Sequence, residues 1–420
     1  MKHLFALAAR SAWNRRATLG FIVVAIALSV TLLLSIERLR RDARASFAQS
    51  VSGTDLVVGA RSSPVQLMLY AVFRIGEATN NLRWESAQAM AGHPAAAWTI
   101  PLSLGDSHRG FPVLGTTAAY FEHFRYGAGR SLELAAGRRF ESVFDAVLGA
   151  EVAERLGYRI GGRIVLAHGA GEVSLSEHAD KPFQVVGILA RTGTPVDRTV
   201  HVSLAAIEAI HLDWQGGAPI PGVSIPAEYV QKFDLTPKTI TALLVGLKSR
   251  AAVFAVQRDV AAFAGEPLMA VLPGVALDEL WGVVGIAERA LLAVSALVVA
   301  VGLAGLVAVI LAGLNERRRE LAILRSAGAR PAHLFLLLAL EGLAVTLAGA
   351  AAGVLLLTAL SAALGPWAEA HYGLVIRLSA VSAGELRLLA AVLAVGVLAS
   401  LVPGYRAYRL SLADGLTPHV

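Results

Sequence analysis

The sequence predicts an α-helical membrane protein with four spanning helices in a one-plus-three order. A large extracytoplasmic mixed α/β domain separates the first helix from the second. Three observations carry this. The 420 residues are 55% hydrophobic with a mean hydropathy of +0.60, too apolar for an ordinary soluble enzyme. Four long runs contain almost no charge. The roughly 250 residues between the first and second runs read instead as short strands and helices.

The first run, Ala17 to Ile36, reads "ATLGFIVVAIALSVTLLLSI" and carries no charge. About 20 apolar residues cross a hydrocarbon core, so residues 17–36 are taken as the first span. Ahead of it, residues 1–16 carry Lys2, Arg10, Arg15 and Arg16 among Leu4, Phe5, Leu7 and Trp13. That mixture predicts an amphipathic helix lying on the cytoplasmic face. A cleaved signal peptide fits less well, because the run is long for one and charges precede the "ARA" at Ala43–Ala45.

Residues 37–286 form the extracytoplasmic domain. Strands are expected in Asp55–Ala60, Gly162–His168, Phe183–Ala190, Arg198–Leu204 and Ile240–Leu247, which are short and rich in β-branched residues. Helical spacing is read in Phe144–Tyr158 and Ser203–Trp214. Gly216–Pro237 holds four prolines and reads as a loop. Ser63–Ile75 is strongly apolar and is taken as a core helix, with a lipid- or partner-facing surface as the alternative.

The remaining spans are 290–315, 332–364 and 386–403, joined by a cytoplasmic helix and turn at 316–331 and a short periplasmic loop at 365–385. Residues 404–420 form a cytoplasmic tail. Lys and Arg concentrate in the first segment, in 316–331 and in the tail. The positive-inside rule therefore puts both termini in the cytoplasm and the large domain outside. Arg38, Arg40, Arg41 and Arg44 run against this count, but long domains translocate largely regardless of charge. The net charge of +6 is explained by these flanks. No basic stretch interleaved with aromatics points to nucleic acid.

Asn315–Pro331, "NERRRELAILRSAGARP", holds five arginines and two glutamates. As a helix it places Leu321 and Leu324 at i and i+3 with Ile323 beside them. Gly328 can end that helix and Pro331 can start the next. A topogenic anchor explains the arginines, but not the glutamates or the apolar patch; apolar surface rimmed by charge marks a protein partner.

The stretch "NERRRELAILRSAGARPAHLFLLLALEGLAVTLAGAAAGVLL" resembles the signature of FtsX/MacB-type permeases, the mechanotransmission class of ABC transporters. "LVPGYRAYRLSLADGL" resembles that family's closing motif, and "VLGAEVAERLGYRIGGRIVLAH" with "FQVVGILARTGTPVDRTVHVSL" its periplasmic core. The resemblance implies a homodimeric permease coupled to a cytoplasmic ABC ATPase dimer, with a periplasmic adaptor or binding protein and membrane lipid as further partners. It implies that Glu316, Arg317, Arg318, Arg319, Glu320, Leu321, Ile323, Leu324 and Gly328 form the ATPase-coupling contact. It implies no catalysis by this chain; ATP and magnesium belong to the partner. The sequence itself has no G-x-x-x-x-G-K-[ST] phosphate loop, as in the lipoprotein-releasing members with a separate ATPase. The expected setting is a bacterial inner membrane. The expected work is export or extraction of a lipoprotein, lipid, peptide or toxin. The alternatives are an FtsX-like regulator of an envelope enzyme and an anchored periplasmic sensor or enzyme.

Two further sets are singled out. Glu341 lies inside the third span, where a carboxylate must face protein or water, either as a hydrogen-bonded brace at the cytoplasmic end or as an interfacial residue reaching headgroups. Gly349 and Gly353 make a G-x-x-x-G that permits close helix approach, within the subunit sooner than across a dimer seam. His168, His178, His201, Glu208 and His211 are candidate zinc ligands by residue type, but their spacing matches no metal motif and scattered surface histidines are the default. The chain has no cysteine, which excludes thiolate sites and disulfides.

Overall fold

The computed structural model describes residues 16–76, 80–169, 176–215, 218–220, 222–316, 325–326, 329–372 and 380–409. The amphipathic segment before Arg16 and the coupling residues Arg317–Leu324 and Gly328 lie outside them. Ten helices are used below: α1 Arg16–Gln49, α2 Pro64–Ala71, α3 Trp84–Ala91, α4 Ala119–His123, α5 Ala150–Leu156, α6 Leu204–His211, α7 Val253–Ala261, α8 Pro273–Glu316, α9 Pro331–Tyr372 and α10 Ala383–Arg409. The main sheet has twelve strands: β1 Leu56–Ala60, β2 Ala96–His108, β3 Phe111–Thr116, β4 Leu134–Gly137, β5 Asp145–Leu148, β6 Arg163–Ile164, β7 Ala167–His168, β8 Ser176–Glu177, β9 Phe183–Leu189, β10 Val200–Ser203, β11 Ala242–Leu247 and β12 Leu268–Val271.

Within the described residues the chain divides into two compact units, with the boundaries inside α1, α8 and α9, after Asp42, Val283 and Glu369. The helical unit contains the four helices long and apolar enough to cross a membrane. All four outrun the apolar stretches read from sequence. α1 continues past Ile36 to Gln49, and α8 starts at Pro273, well before Ala290. α9 runs on through Pro366 and α10 through Pro403.

Each helix buries one stripe. On α1 the stripe is Leu19, Ile22, Ile26, Val30 and Leu33, and on α8 it is Val299, Leu303, Leu306, Ile310 and Leu314. Both follow the three-and-four spacing of a helical face. The opposite faces stay exposed and apolar, as at Phe21, Val24 and Leu28, the composition a lipid-facing surface requires.

Small residues set the closest approaches. A Cβ at Gly349 would come within 2.6 Å of Ile26, and one at Gly353 within 2.8 Å of the Ala27 carbonyl. The G-x-x-x-G therefore packs α9 against α1 of the same chain. Thr31 Oγ1 donates to the Gly353 carbonyl across this seam at 3.0 Å. Between α9 and α10, Gly342 faces Ser400 and Gly396 faces Thr346. Lipid tails solvate leucine as well as protein does, so close contact and interhelical hydrogen bonds hold such a bundle together.

The second unit is built on the twelve-stranded sheet, whose main path runs β12-β1-β11-β2-β3-β10-β5-β9-β4. The pairs β3/β10 and β5/β9 are parallel; the neighbouring pairs β2/β3, β2/β11 and β5/β10 are antiparallel. β2 carries a bulge and then pairs with β3 again. Its register with β3 shifts between Leu104 and Ser107, and Gly105 there has φ +148°. Within the bulge, Asp106 pairs with His168 on β7. β7 in turn pairs with β8. A bulge bends its strand and re-aims the side chains beyond it.

Strands appear within Asp55–Ala60, Phe183–Ala190, Arg198–Leu204 and Ile240–Leu247 as expected. Gly162–His168 divides into β6 and β7. The helix read over Phe144–Tyr158 is corrected. Its first half is β5, buried throughout, and only Ala150–Leu156 is helical. A short apolar run has no period that separates strand from buried helix. Gly149 makes the break, for a Cβ there would lie 2.3 Å from the Val196 carbonyl. In the second expected helix, Ser203 caps α6 by accepting from the Ala206 N–H, and Trp214 lies beyond it in a short strand. Within Ser63–Ile75, Leu67, Met68, Ala71, Val72 and Phe73 join the core.

Candidate functional site

Each unit buries a constellation of polar groups. In the helical unit, Glu385 is fully buried at the start of α10 and Arg38 is 2% exposed on α1. Arg38 Nε donates to Glu385 Oε1 at 3.0 Å, and Arg41 Nη1 lies 3.6 Å from Glu385 Oε2. Glu385 also closes a capping box. Its carboxylate accepts from the Ser382 N–H at 2.7 Å, and its own N–H donates to Ser382 Oγ at 3.2 Å. "SAGE" before an apolar run is the sequence signature of such a box, so this residue was legible, although the span was started one residue later. Arg40 pairs with Glu37 at 2.9 Å and Arg41 with Asp42 at 3.3 Å. Three of the four arginines that ran against the charge count, Arg38, Arg40 and Arg41, are thus matched by carboxylates nearby, and Arg44 lies over the Trp281 ring. Glu341 is buried on α9, at 7% exposure.

In the sheet unit three of the candidate ligands come together around an acid that sequence reading missed. His168 Nδ1 lies 3.2 Å from Asp106 Oδ1. His211 Nε2 lies 3.2 Å from His168 Nδ1 and 3.5 Å from Asp106 Oδ1. Asp106 arrives on the bulged strand β2, His168 on β7, and His211 as the last residue of α6. On its far side, His211 Nδ1 donates to the Ile207 carbonyl at 2.8 Å. That bond holds a proton on Nδ1 and aims Nε2 at the cluster, where it carries a lone pair in the neutral ring and an N–H towards Asp106 in the protonated one.

His178 follows β8 and is 1% exposed. Its ring centroid is 5.0 Å from that of His211 and 4.4 Å from that of Trp214. Neither of its ring nitrogens has a hydrogen-bond partner among the described residues. Nearby His108, equally buried, satisfies both of its own with the Val165 carbonyl and the Tyr158 hydroxyl. The segment holding His178 is anchored by Lys181, fully buried, whose Nζ donates to both Asp213 oxygens at 2.8 Å.

The electrostatics follow from this packing. Burial alone would push the Asp106 carboxyl up, but hydrogen bonds from His168 and His211 outweigh it and hold the pKa at about 2. Burial likewise works against a charged His211, yet the Asp106 hydrogen bond and charge raise its pKa. His178 goes the other way, lowered to about 4 by burial and by the neighbouring His211.

The remaining candidates lie apart. His201 faces the core, packed near Tyr120 and Phe121, with Nδ1 donating to the Val147 carbonyl at 3.2 Å. Glu208 accepts from the Lys238 N–H. Asp106 escaped detection because it lies 62 residues from His168 in a segment with no motif. Only the bulge brings the two side by side.

Comparison with known proteins places this architecture. The MacB-like periplasmic core domain model matches residues 17–263, and the FtsX-like permease C-terminal model matches residues 292–412. The chain belongs to the FtsX/MacB-type ABC transporter permease family, a family of membrane subunits carrying a periplasmic domain. Among solved structures, the periplasmic region of MacB from Actinobacillus actinomycetemcomitans is similar at 11% identity, covering 55% of this chain and 94% of that one, with a TM-score of 0.34. The extracellular domain of the noncanonic ABC-type transporter YknZ from Gram-positive bacteria is similar at 11% identity, covering 52% and 98%, with a TM-score of 0.29. No curated protein matches the chain.

Proposed function

We propose that this chain is the permease subunit of an ABC transporter in a bacterial inner membrane. It passes the motion of a separate cytoplasmic ATPase dimer to its periplasmic domain, for export or extraction of an envelope substrate. It works as a homodimer, is catalytically inert by itself, and leaves ATP and magnesium to its partner. Both termini and the 316–331 segment face the cytoplasm. Glu316, the three arginines after it, Glu320, Leu321, Ile323, Leu324 and Gly328 make the ATPase contact, and Glu341 braces that end of the bundle.

One observation carries the reading. α1 and α8 are unbroken helices of 34 and 44 residues, about 51 and 66 Å long at 1.5 Å per residue. A hydrocarbon core is about 30 Å thick. A continuous helix longer than the bilayer carries a displacement of one end to the other. The Arg38–Glu385 pair supports the same role by tying α1 to α10.

The native sequence has no cysteine, so single cysteines report topology cleanly. In spheroplasts, Glu122→Cys should react with a membrane-impermeant maleimide, and Leu321→Cys only after permeabilisation. Labelling of Leu321→Cys from outside overturns the orientation. Solubilised from its native membrane, the chain should co-purify with an ABC ATPase. Reversing Arg317 and Arg318 to glutamate and changing Leu321→Asp should abolish that association. Retention of the ATPase by this triple variant overturns the coupling assignment.

A further inference from the structure

We propose that Asp106, His168 and His211 bind a zinc ion, with His178 turning in as the fourth ligand. The inference concerns the sheet unit alone and is independent of any ATPase partner.

The geometry points to zinc in four ways. The three facing atoms form a triangle with edges of 3.2, 3.2 and 3.5 Å. Tetrahedral zinc holds nitrogen and oxygen ligands at about 2.0–2.2 Å, which separates ligand atoms by about 3.3 Å. The site is therefore already the size of one zinc coordination face. Two imidazoles and one carboxylate are also a donor set that suits zinc over calcium or magnesium, which take mainly oxygen.

The outer shell is also in place. Metal-bound histidines usually donate their second N–H to a carbonyl or carboxylate, as His211 does to Ile207. Finally, His178 offers an independent observation. Buried polar groups are almost always hydrogen-bonded, yet this ring is buried with both nitrogens unsatisfied. It stands against the cluster, and a ligand bond to a shared ion would satisfy it. His168 is 40% exposed on its side chain, which leaves an entry path. A bound ion would clamp the β7–β8 hairpin to the end of α6.

The test uses the full chain in detergent, purified through a tag without histidines and stripped with chelator. After incubation with zinc chloride and buffer exchange, elemental analysis should find about one zinc per chain. Zinc should also raise the melting temperature. His168→Gln and His211→Gln should each weaken zinc affinity by more than about 100-fold, since even outer-shell changes cost 10–100-fold. His93→Gln, on a surface ring elsewhere, should change nothing. Cobalt in place of zinc should give the intense visible absorption of a four-coordinate site, and His178→Gln should diminish it. His168→Gln removes an exposed ring, so its far-ultraviolet circular dichroism should match the parent and separate lost binding from lost folding. Zinc retained equally by the His168 and His211 variants, or not retained by the parent, overturns the site. A cobalt spectrum unchanged in His178→Gln overturns the fourth ligand.

Discussion

His201 shows how far a single residue's environment decides its chemistry. It is fully buried, and burial, then the nearby Arg74 charge, lowers its pKa to about 3. An unfolded chain would bind a proton there near pH 6.5. Between those values the unfolded state holds a proton that the folded state refuses, so stability must fall as pH drops from about 6.5 towards 3. The slope from this group is about 1.4 kcal/mol per pH unit. Chemical denaturation across that range should show it, and His201→Leu should reduce the slope, leaving the part that buried His178 contributes; an unchanged slope would mean the ring titrates normally. Arg38 and Glu385 present the opposite case, a buried charge pair. Removing one partner of such a pair typically costs about 3–5 kcal/mol, because the other charge is stranded. Arg38→Met should lower the melting temperature in detergent, and replacing both residues with methionine should recover much of the loss. Equal melting of the parent and Arg38→Met would show that the pair contributes nothing.

At the scale of elements, the seams between helices are set by what is absent from glycine. Gly349 and Gly353 let α9 approach α1 until a methyl group would collide with Ile26 or the Ala27 carbonyl. Overpacking of this kind costs about 1–3 kcal/mol. Gly353→Val should therefore destabilise the bundle, whereas Gly305→Ala on α8, which meets nothing within 4 Å, should be neutral. Thermal unfolding of the two variants side by side checks this. The G-x-x-x-G and its place inside the subunit rather than at a dimer seam were read from the sequence, but the helix it meets was not, since the spacing of small residues permits a close approach without naming the partner. The strand–helix break at Gly149 was hidden for a different reason. β5 is buried on both sides, so its residues lack the alternation that marks a half-exposed strand.

At the scale of the whole molecule, the proposed relay depends on helical continuity. A proline inside a helix removes a hydrogen bond and clashes with the preceding turn, at about 3 kcal/mol. Ala287→Pro in α8 should leave the ATPase bound and hydrolysing while substrate release is lost. Unimpaired release with a kinked α8 would show that the rod is not the route. The four spans, their one-plus-three order and the family were legible in the sequence. Membrane insertion depends on the summed hydrophobicity of about 20 consecutive residues, and the family signature is likewise continuous. The continuation of α1 and α8 beyond their apolar runs was not legible, because both helices carry on through polar residues such as Arg40 and Asp278, whose helicity is a matter of packing rather than composition.

What the sequence alone determined is therefore what neighbouring residues decide together: span, charge bias and motif. Only the tertiary structure decided that Asp106, His168 and His211 share one site and that Arg38 meets Glu385. These partners lie 43 to 347 residues apart. Their meeting is fixed by a strand bulge, a helix end and a helix seam, none of which is written in the spacing of the residues themselves.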